Sequence, residues 1–258
     1  MNQNERREYL IKYLLKEEIR FGRQSIPADK QGQENLLRSL MNVRPPRPIS
    51  HEFLEIQDEY LTERNIERGI TDVATLTPVK SDSRLYIWQG DITTLKCDAI
   101  VNACNSQMLG CFSPMHACID NFIHTYAGVE LRLKMHEIMT KQGYEEKTGK
   151  AKITSGYNLP AKYVLHAVGP IIQWKVTQED ENLLASCYKE CLKLAADTGV
   201  ESIAFCCLST GVFRFPQQRA AEIATETVMQ FLKKDDRIKK VIFNVFKNED
   251  LEIYSHLL

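Results

Sequence analysis

The chain has 258 residues, of which 43% are hydrophobic and 26% charged, and its 33 basic and 34 acidic side chains give a net charge of -1. This balance argues against a nucleic-acid partner, since proteins that bind nucleic acids usually carry an excess of basic residues. No apolar run approaches the about 20 residues that cross a bilayer and no secretory signal is visible, so we predict a cytoplasmic protein with reduced cysteines and no membrane partner.

The first part of the chain carries helical patterns separated by a proline-rich break. The segment REYLIKYLLKEEI places four residues near one helical stripe, Leu10, Tyr13, Leu14 and Ile19. The segment QENLLRSLMNV is a second candidate helix. After the segment RPPRPIS, Ser50 is positioned to cap a third helix, HEFLEIQDEYLTERN. We predict a helical N-terminal extension over residues 1–80, which could serve as a lid, a packing layer or a dimer arm.

Strand patterns and helical patterns alternate after this extension. The strand-like segments are RLYIWQG, CDAIVNAC, AKITSGY, KYVLHAVGP, ESIAFCCLS and KVIFNVF. Helices are predicted from about Ser113 to Tyr126, from Glu130 to about Gln142, in TQEDENLLASCYKECLKLAADTG and in PQQRAAEIATETVMQFLKK. The alternation predicts an α/β domain over residues 81–258, with helices on both faces of a sheet.

Polar motifs follow several of the predicted strands, where α/β folds bind ligands. They are QGDIT, NACNS, LSTGVFRFP and NVFKNED. Successive backbone N–H groups around Gly211 could form an anion nest, helped by the helix that begins after Pro216. Each motif alone also has a purely structural interpretation, because Asp91 could simply cap the next turn and the loop at Gly211 could be an ordinary strand-to-helix connection.

The segment LGCFSPMHACIDN clusters two cysteines and a histidine, with the spacing Cys111-x4-His116-x-Cys118. Thiolates and imidazole are good zinc ligands, and three protein ligands leave the open fourth position of a catalytic zinc site. A structural zinc site would need a fourth ligand, which Cys104 or His124 could supply. The spacing is not that of a standard zinc finger, so ordinary core thiols remain the alternative.

Several motifs together resemble one known family. GDIT, DAIVNACN, TSGYNLPAKYVLHAVGP and LSTGVFRFP, in this order and spacing, resemble the macrodomain family and most closely its MacroD-type branch, which hydrolyses ADP-ribose attachments. The resemblance covers residue 84 to about residue 254. It implies a three-layer α/β/α sandwich with a mixed sheet, and ADP-ribose as the ligand.

The resemblance also implies a role for individual residues. Asp91 matches the aspartate that accepts a hydrogen bond from the adenine amine, with Ile92 beside it, and Asn105 matches the asparagine that faces the distal ribose. Phe246 matches an aromatic residue that stacks near the adenine, although it also continues an apolar strand and could belong to the core. The loop that cradles the diphosphate corresponds to Ser209, Thr210, Gly211, Val212 and Phe213.

One segment departs from the MacroD-type pattern. CIDNFIH matches the family's V-D-G-A-I-H, which places Asp120 at the catalytic aspartate and His124 at the helix histidine, whereas GCFSPMHA replaces a glycine-rich stretch. This departure resembles the zinc-containing macrodomain subgroup, which also has a helical extension with an RPP segment. The subgroup implies a zinc ion on Cys111, His116 and Cys118.

The resemblance therefore implies a zinc-dependent hydrolase that removes mono-ADP-ribose from protein side chains, in particular Asp or Glu esters. Asp120 would be the general base or a zinc ligand, and Asn105 would position the ribose. The alternatives are an ADP-ribose reader without turnover, an O-acetyl-ADP-ribose deacetylase, or an interaction module with structural zinc. The implied partner is a mono-ADP-ribosylated protein, in bacteria a carrier protein modified by a sirtuin-like ADP-ribosyltransferase.

Overall fold

A computed structural model describes residues 1–17 and 25–258, so the predicted helical residue Ile19 lies outside the described residues. The α-helices of the described part are α1 (Gln3–Glu17), α2 (Lys30–Val43), α3 (His51–Glu67), α4 (Ile119–Ala127), α5 (Val129–Gln142), α6 (Gln178–Asp197), α7 (Gln217–Leu232) and α8 (Asn248–Leu257). The strands there are β1 (Thr71–Asp72), β2 (Leu85–Gln89), β3 (Leu95–Lys96), β4 (Ala99–Cys104), β5 (Ala151–Ser155), β6 (Tyr163–Val168), β7 (Ser202–Phe205) and β8 (Lys240–Val245).

In the described part of the chain, three helices form the N-terminal layer, as the sequence predicts. Ser50 caps α3 by accepting a hydrogen bond from the Phe53 N–H, and Asp29 caps α2 in the same way through the Gly32 N–H. The apolar faces of these helices form a hydrophobic cluster of their own, which the first residue of α5, Val129, completes. Helices α2 and α3 both pack against α4, so the layer lies directly on the α/β part of the chain.

The main sheet has six strands in the order β2-β8-β7-β4-β6-β5. The first five run parallel, and the edge strand β5 pairs antiparallel with β6, which makes the sheet mixed as expected. Because parallel strands point the same way, the carboxyl ends of β2, β4, β6, β7 and β8 all lie at one edge of the sheet. The loops after these strands therefore meet at that edge.

Helices cover the sheet in two groups. Helix α4 packs against β4 and α5 against β5, and the N-terminal layer packs on α4. Helices α6, α7 and α8 pack in succession against one another. The result is the three-layer α/β/α sandwich that the sequence predicts. Its core is a second hydrophobic cluster, to which β2, β4, β6, β7 and β8 contribute buried residues and against which β5 packs. In the described ranges, no helix is both long enough and apolar enough to cross a membrane.

One predicted helix begins too early. The helix expected from Ser113 to Tyr126 begins only at Ile119, and the segment before it is an irregular loop. Met115 in this loop has a φ of 58°, the left-handed region that interrupts a right-handed helix. Helix α8 and the short parallel pair β1–β3 were not predicted, because α8 is only 10 residues long and begins with three polar residues, and β1 and β3 have two residues each.

The joint between α4 and α5 requires glycine. Gly128 has a φ of 98°, and a Cβ there would lie 2.6 Å from the Gln57 side-chain nitrogen. Gln57 of α3 is buried and its Oε1 accepts a hydrogen bond of 2.9 Å from the Val129 N–H, the first amide of α5. The N-terminal layer thus caps a helix of the α/β part, which leaves no room for a side chain at this position.

We expect Phe53→Ala to destabilise the protein by about 3–5 kcal/mol, because Phe53 is fully buried and its removal leaves a cavity in the N-terminal cluster. Urea denaturation followed by circular dichroism measures this loss. The matched control is Ile66→Ala on the same helix, which should change stability by less than about 0.5 kcal/mol because Ile66 is 61% exposed. Equal losses in the two variants would contradict the assigned packing.

Candidate functional site

The residues singled out at the strand ends lie at one edge of the sheet. Asp91 follows β2, Asn105 follows β4, Ser209 follows β7 and Phe246 follows β8, and all four strands are mutually parallel. Phe246 is 75% exposed, so it is not a core residue and its ring is free to meet a ligand. The arrangement forms an open edge lined by a carboxylate, an amide, a polar loop and an aromatic ring.

The loop after β7 offers unpaired backbone donors. The structure records no hydrogen bond from the backbone N–H groups of Gly211, Val212 and Phe213 to any described residue. The loop is closed by hydrogen bonds from Arg214 N–H to Gly211 O and from Phe215 N–H to Ser209 O, each 3.0 Å long. A run of free N–H groups held in a fixed turn is the arrangement that binds anions without a net positive charge.

Two members of this loop face inward. The Ser209 hydroxyl is buried without a hydrogen-bond partner among the described residues, and its backbone has a φ of 64°. The Thr210 hydroxyl donates to Cys207 O over 3.0 Å. The Thr210 hydrogen bond helps to fix the base of the loop, while Val212 at its tip is 65% exposed.

Asp91 both caps a turn and contacts the N-terminal layer. One carboxylate oxygen accepts from the Thr93 N–H and hydroxyl, at 2.9 and 2.7 Å, while the other pairs with Arg68 at the end of α3. The Arg68 guanidinium lies 3.4 Å above the Tyr126 ring, which holds it in place. Ile92 beside Asp91 is buried, so only its backbone can face a ligand.

Cys111, His116 and Cys118 lie together. Their ligand atoms all fall within 4.8 Å of one another, and Cys111 Sγ is 3.4 Å from His116 Nδ1. No other such group of three occurs in the described ranges, and neither Cys104 nor His124 belongs to this one. Two thiols and one imidazole are donors that zinc prefers, and zinc bonds of about 2.0–2.3 Å bring such atoms to similar separations. The three residues therefore fit a zinc ion.

A buried polar network lies beside this cluster. Asp120, in the first turn of α4, accepts a 2.8 Å hydrogen bond from the Asn102 amide. The same amide nitrogen is 3.2 Å from His166 Nδ1, and His166 Nε2 is 3.0 Å from the Thr154 hydroxyl. Burial raises the pKa of Asp120 to about 6, although the Asn102 hydrogen bond and the Arg132 charge act in the opposite direction.

His124 lies next to this network without joining it by a hydrogen bond. Its Nε2 is 3.6 Å from an Asp120 oxygen, and neither ring nitrogen has a hydrogen-bond partner among the described residues. Burial keeps the pKa of His124 well below its usual value, so the ring is neutral. Gly110, with a φ of 82°, passes so close that a Cβ there would lie 2.8 Å from this ring.

Sequence reasoning missed several residues of the site. Asn102 interrupts the apolar strand β4 at a fully buried position, and this polar interruption was a usable signal. Arg38, Arg68 and Arg132 contact the site from helices that lie elsewhere in the chain, and no local motif marks them.

The fold and the strand ends define an α/β protein with a polar loop of backbone N–H groups, unpaired within the described ranges, at the carboxyl edge of its sheet. Residues 101–224 match the Macro domain family. The chain is 56% identical, over 100% of both sequences, to a protein from Treponema medium named Protein-ADP-ribose hydrolase. It is also 51% identical to a protein of that name from Staphylococcus aureus (strain MRSA252), over 97% of this chain and 94% of that one.

Solved structures agree with this relationship. A Trypanosoma brucei macrodomain in complex with ADP-ribose matches with a TM-score of 0.65 and 28% identity, over 85% of this chain and 94% of that one. An Oceanobacillus iheyensis macrodomain with ADP matches with a TM-score of 0.60 and 38% identity, over 67% and 88%. The chain belongs to the macrodomain family.

We expect Asn102→Ala to lower the free energy of unfolding by about 1–3 kcal/mol, because it leaves Asp120 and His166 buried without their shared partner. Urea denaturation of both proteins measures the difference. Asn182→Ala, which removes an exposed amide from α6, is the control and should change stability by less than about 0.5 kcal/mol. An unchanged unfolding midpoint for Asn102→Ala would show that the network contributes nothing to stability.

Proposed function

We propose that this macrodomain is a protein-ADP-ribose hydrolase, which removes mono-ADP-ribose from modified protein side chains. The observation that carries the proposal is the buried Asp120 carboxylate, which Asn102 holds two residues after Cys118 of the Cys111–His116–Cys118 cluster. A reader that only binds ADP-ribose needs no buried carboxylate of this kind. Relatives that are 50–56% identical over at least 97% of the chain carry the name Protein-ADP-ribose hydrolase, which supports the same conclusion.

ADP-ribose would lie along the carboxyl edge of the sheet. Asp91 accepts a hydrogen bond from the adenine amine through an oxygen that Arg68 already orients, and the exposed Phe246 ring packs on the base. The free N–H groups of Gly211, Val212 and Phe213 bind the diphosphate, since they have no other partner among the described residues. This binding by backbone donors explains how a chain of net charge -1 can hold a doubly anionic ligand.

The distal ribose would then face β4 and the start of α4. Asn105 follows β4 and orients this ribose so that its C1″ atom faces an attacking water. Asp120 accepts the proton of that water as general base, while Asn102 fixes the direction of its carboxylate. The C1″–O bond breaks and the substrate side chain leaves as a carboxylate, which suits an Asp or Glu ester.

Cys111, His116 and Cys118 would hold a zinc ion in this proposal. When bound, zinc acts as a Lewis acid that polarises an oxygen ligand or lowers the pKa of coordinated water toward about 7. Asp120 is not a member of the three-residue cluster, and its oxygen is engaged by Asn102, which favours the base over the ligand role. That the substrate is a carrier protein modified by a sirtuin-like ADP-ribosyltransferase stays a prediction.

We expect the wild-type protein to retain close to one zinc per chain and Cys111→Ala to lose it. We expect Asp120→Ala to keep the zinc but to hydrolyse an ester-linked ADP-ribosyl protein about 10²–10⁴-fold more slowly than the wild type. Atomic absorption measures the metal, and release of ADP-ribose measures turnover. The control is Cys207→Ala, since Cys207 lies outside the cluster.

Three outcomes would contradict this proposal. A zinc-free protein with full activity would exclude the role of the metal. A folded protein that binds ADP-ribose and releases none from any ester substrate would be a reader instead. Cleavage of O-acetyl-ADP-ribose alone would make the protein a small-molecule deacetylase that uses the same edge of the sheet.

We expect the wild type to bind ADP-ribose about 10–100-fold more tightly than its hypoxanthine analogue, which lacks the amine that Asp91 would accept from. In Asp91→Ala this preference should shrink toward one, as measured by calorimetry with both ligands. The comparison of two ligands isolates the amine contact from the loss of the cap and the Arg68 ion pair.

The matched control for Asp91 is Asp72→Ala. Asp72 caps a similar short turn by accepting from the Ala74 N–H, and it pairs with Lys96 much as Asp91 pairs with Arg68. This variant should keep the full preference for the adenine ligand. An undiminished preference in Asp91→Ala would place the adenine elsewhere.

A further inference from the structure

The loop that carries the Cys111–His116–Cys118 cluster has little internal structure. Within residues 109–118, all of them described, one backbone hydrogen bond joins two members of the segment, from His116 N–H to Ser113 O at 3.3 Å. This bond closes a single turn over residues 113–116, in which Met115 has a φ of 58°, a conformation that is uncommon for a residue other than glycine. The conformation of this loop must therefore be set by groups outside it.

The main outside contact is Arg38 of α2, in the N-terminal layer. Its guanidinium donates to His116 O over 3.0 Å and to Asn121 Oδ1 over 2.7 and 3.2 Å. Asn121 in turn donates to Ser113 O over 3.0 Å, so one arginine fixes two carbonyls of the loop, the second through an amide. The guanidinium carbon of Arg38 lies 4.2 Å from the centre of the Phe122 ring, and this contact helps to hold the planar guanidinium group in its orientation.

The second outside contact is Asn42, one helical turn further along α2. Its Oδ1 accepts a 3.1 Å hydrogen bond from the Met115 N–H, and its Nδ2 donates to the Thr125 hydroxyl over 3.0 Å. Asn42 is 1% exposed, so these bonds do not compete with water. It holds the left-handed residue in the middle of the loop, next to His116.

We propose that Arg38 and Asn42 are positioning residues for the metal site, so that the N-terminal layer supplies its outer shell. They touch the backbone of His116 and of its neighbour Met115, not the ligand atoms. A flexible loop must lose conformational freedom when three of its side chains converge on one ion, and a loop already held at these points loses less. Outer-shell groups of this kind typically change metal affinity about 10–100-fold.

This inference rests on the proposed zinc ion, and it differs from a general role of the extension in stability. Arg38 lies on the same layer as Arg6, whose guanidinium pairs with Glu59 and Glu63 of α3 and makes no recorded contact with the loop. Both arginines join parts of the structure through ion pairs or hydrogen bonds. Only the loss of Arg38 should weaken metal binding, which makes Arg6→Ala a matched control.

The test is a chelator competition that measures zinc affinity in the full chain for wild type, Arg38→Ala, Arg38→Lys, Asn42→Ala and Arg6→Ala. We expect Arg38→Ala and Asn42→Ala each to weaken zinc binding about 10–100-fold, and Arg6→Ala to match the wild type. Arg38→Lys should recover only part of the affinity, because an ammonium group cannot reproduce the planar fork that reaches His116 O and Asn121 together.

A second readout separates positioning from folding. With Co²⁺ in place of zinc, the visible absorption reports the geometry of the thiolate and imidazole ligands, and Arg38→Ala should shift or broaden these bands while Arg6→Ala leaves them unchanged. Circular dichroism and urea denaturation of the metal-free proteins check that each variant is folded.

The outcomes are distinct. Wild-type zinc affinity and unchanged Co²⁺ spectra in both Arg38→Ala and Asn42→Ala would overturn the inference, as would an equal loss of affinity in Arg6→Ala. Failure of the wild type itself to bind zinc would instead overturn the proposed metal site.

Discussion

A single buried guanidinium joins the three parts of the molecule on which the candidate site depends. Arg132 of α5 donates over 2.7 Å to Leu109 O, at the start of the loop that carries the Cys111–His116–Cys118 cluster. It also donates, over 2.7–3.0 Å, to three carbonyls at the C-terminal end of α2, those of Met41, Asn42 and Arg44. Burial lowers the pKa of Arg132 to about 10, so it is still charged at neutral pH and complements the negative end of the helix. Since the guanidinium is planar and rigid, its acceptors must take fixed positions, and the loop and α2 are held in register with α5.

Much of the fold could be predicted from the sequence because its signals are local. Apolar runs bounded by glycine or proline mark the strands of the main sheet, and caps such as Ser50 mark where helices begin. A chain that alternates these elements builds a largely parallel sheet, and such a sheet brings every following loop to one edge. Asp91, Asn105 and Phe246 could therefore be predicted as neighbours from their positions after strands, although they are far apart in the chain.

The rest of the site depends on contacts that no local pattern contains. Arg38 and the carbonyl that it binds on His116 are 78 residues apart, and their meeting follows from the way α2 packs on α4. The helix predicted to begin at Ser113 begins later for the same reason. A segment with apolar residues becomes helical only if contacts with the rest of the protein do not hold it in another conformation. Met115 has a left-handed backbone and its N–H is bound by Asn42, an interaction that overrides the helical pattern.

The N-terminal layer and the loop that carries the Cys111–His116–Cys118 cluster are best understood as one unit. A glycine-rich loop can pass close to a ligand and set its own turns, because its residues adopt left-handed conformations without strain. Here the segment GCFSPMHA contains one glycine, Gly110, and its second left-handed position is Met115. Such a loop needs partners for its backbone from outside, and α2 provides them through two side chains spaced one turn apart. Helices α2 and α3 pack on α4, so the extension lies where α4 begins, and there its side chains reach the loop that lacks backbone partners of its own.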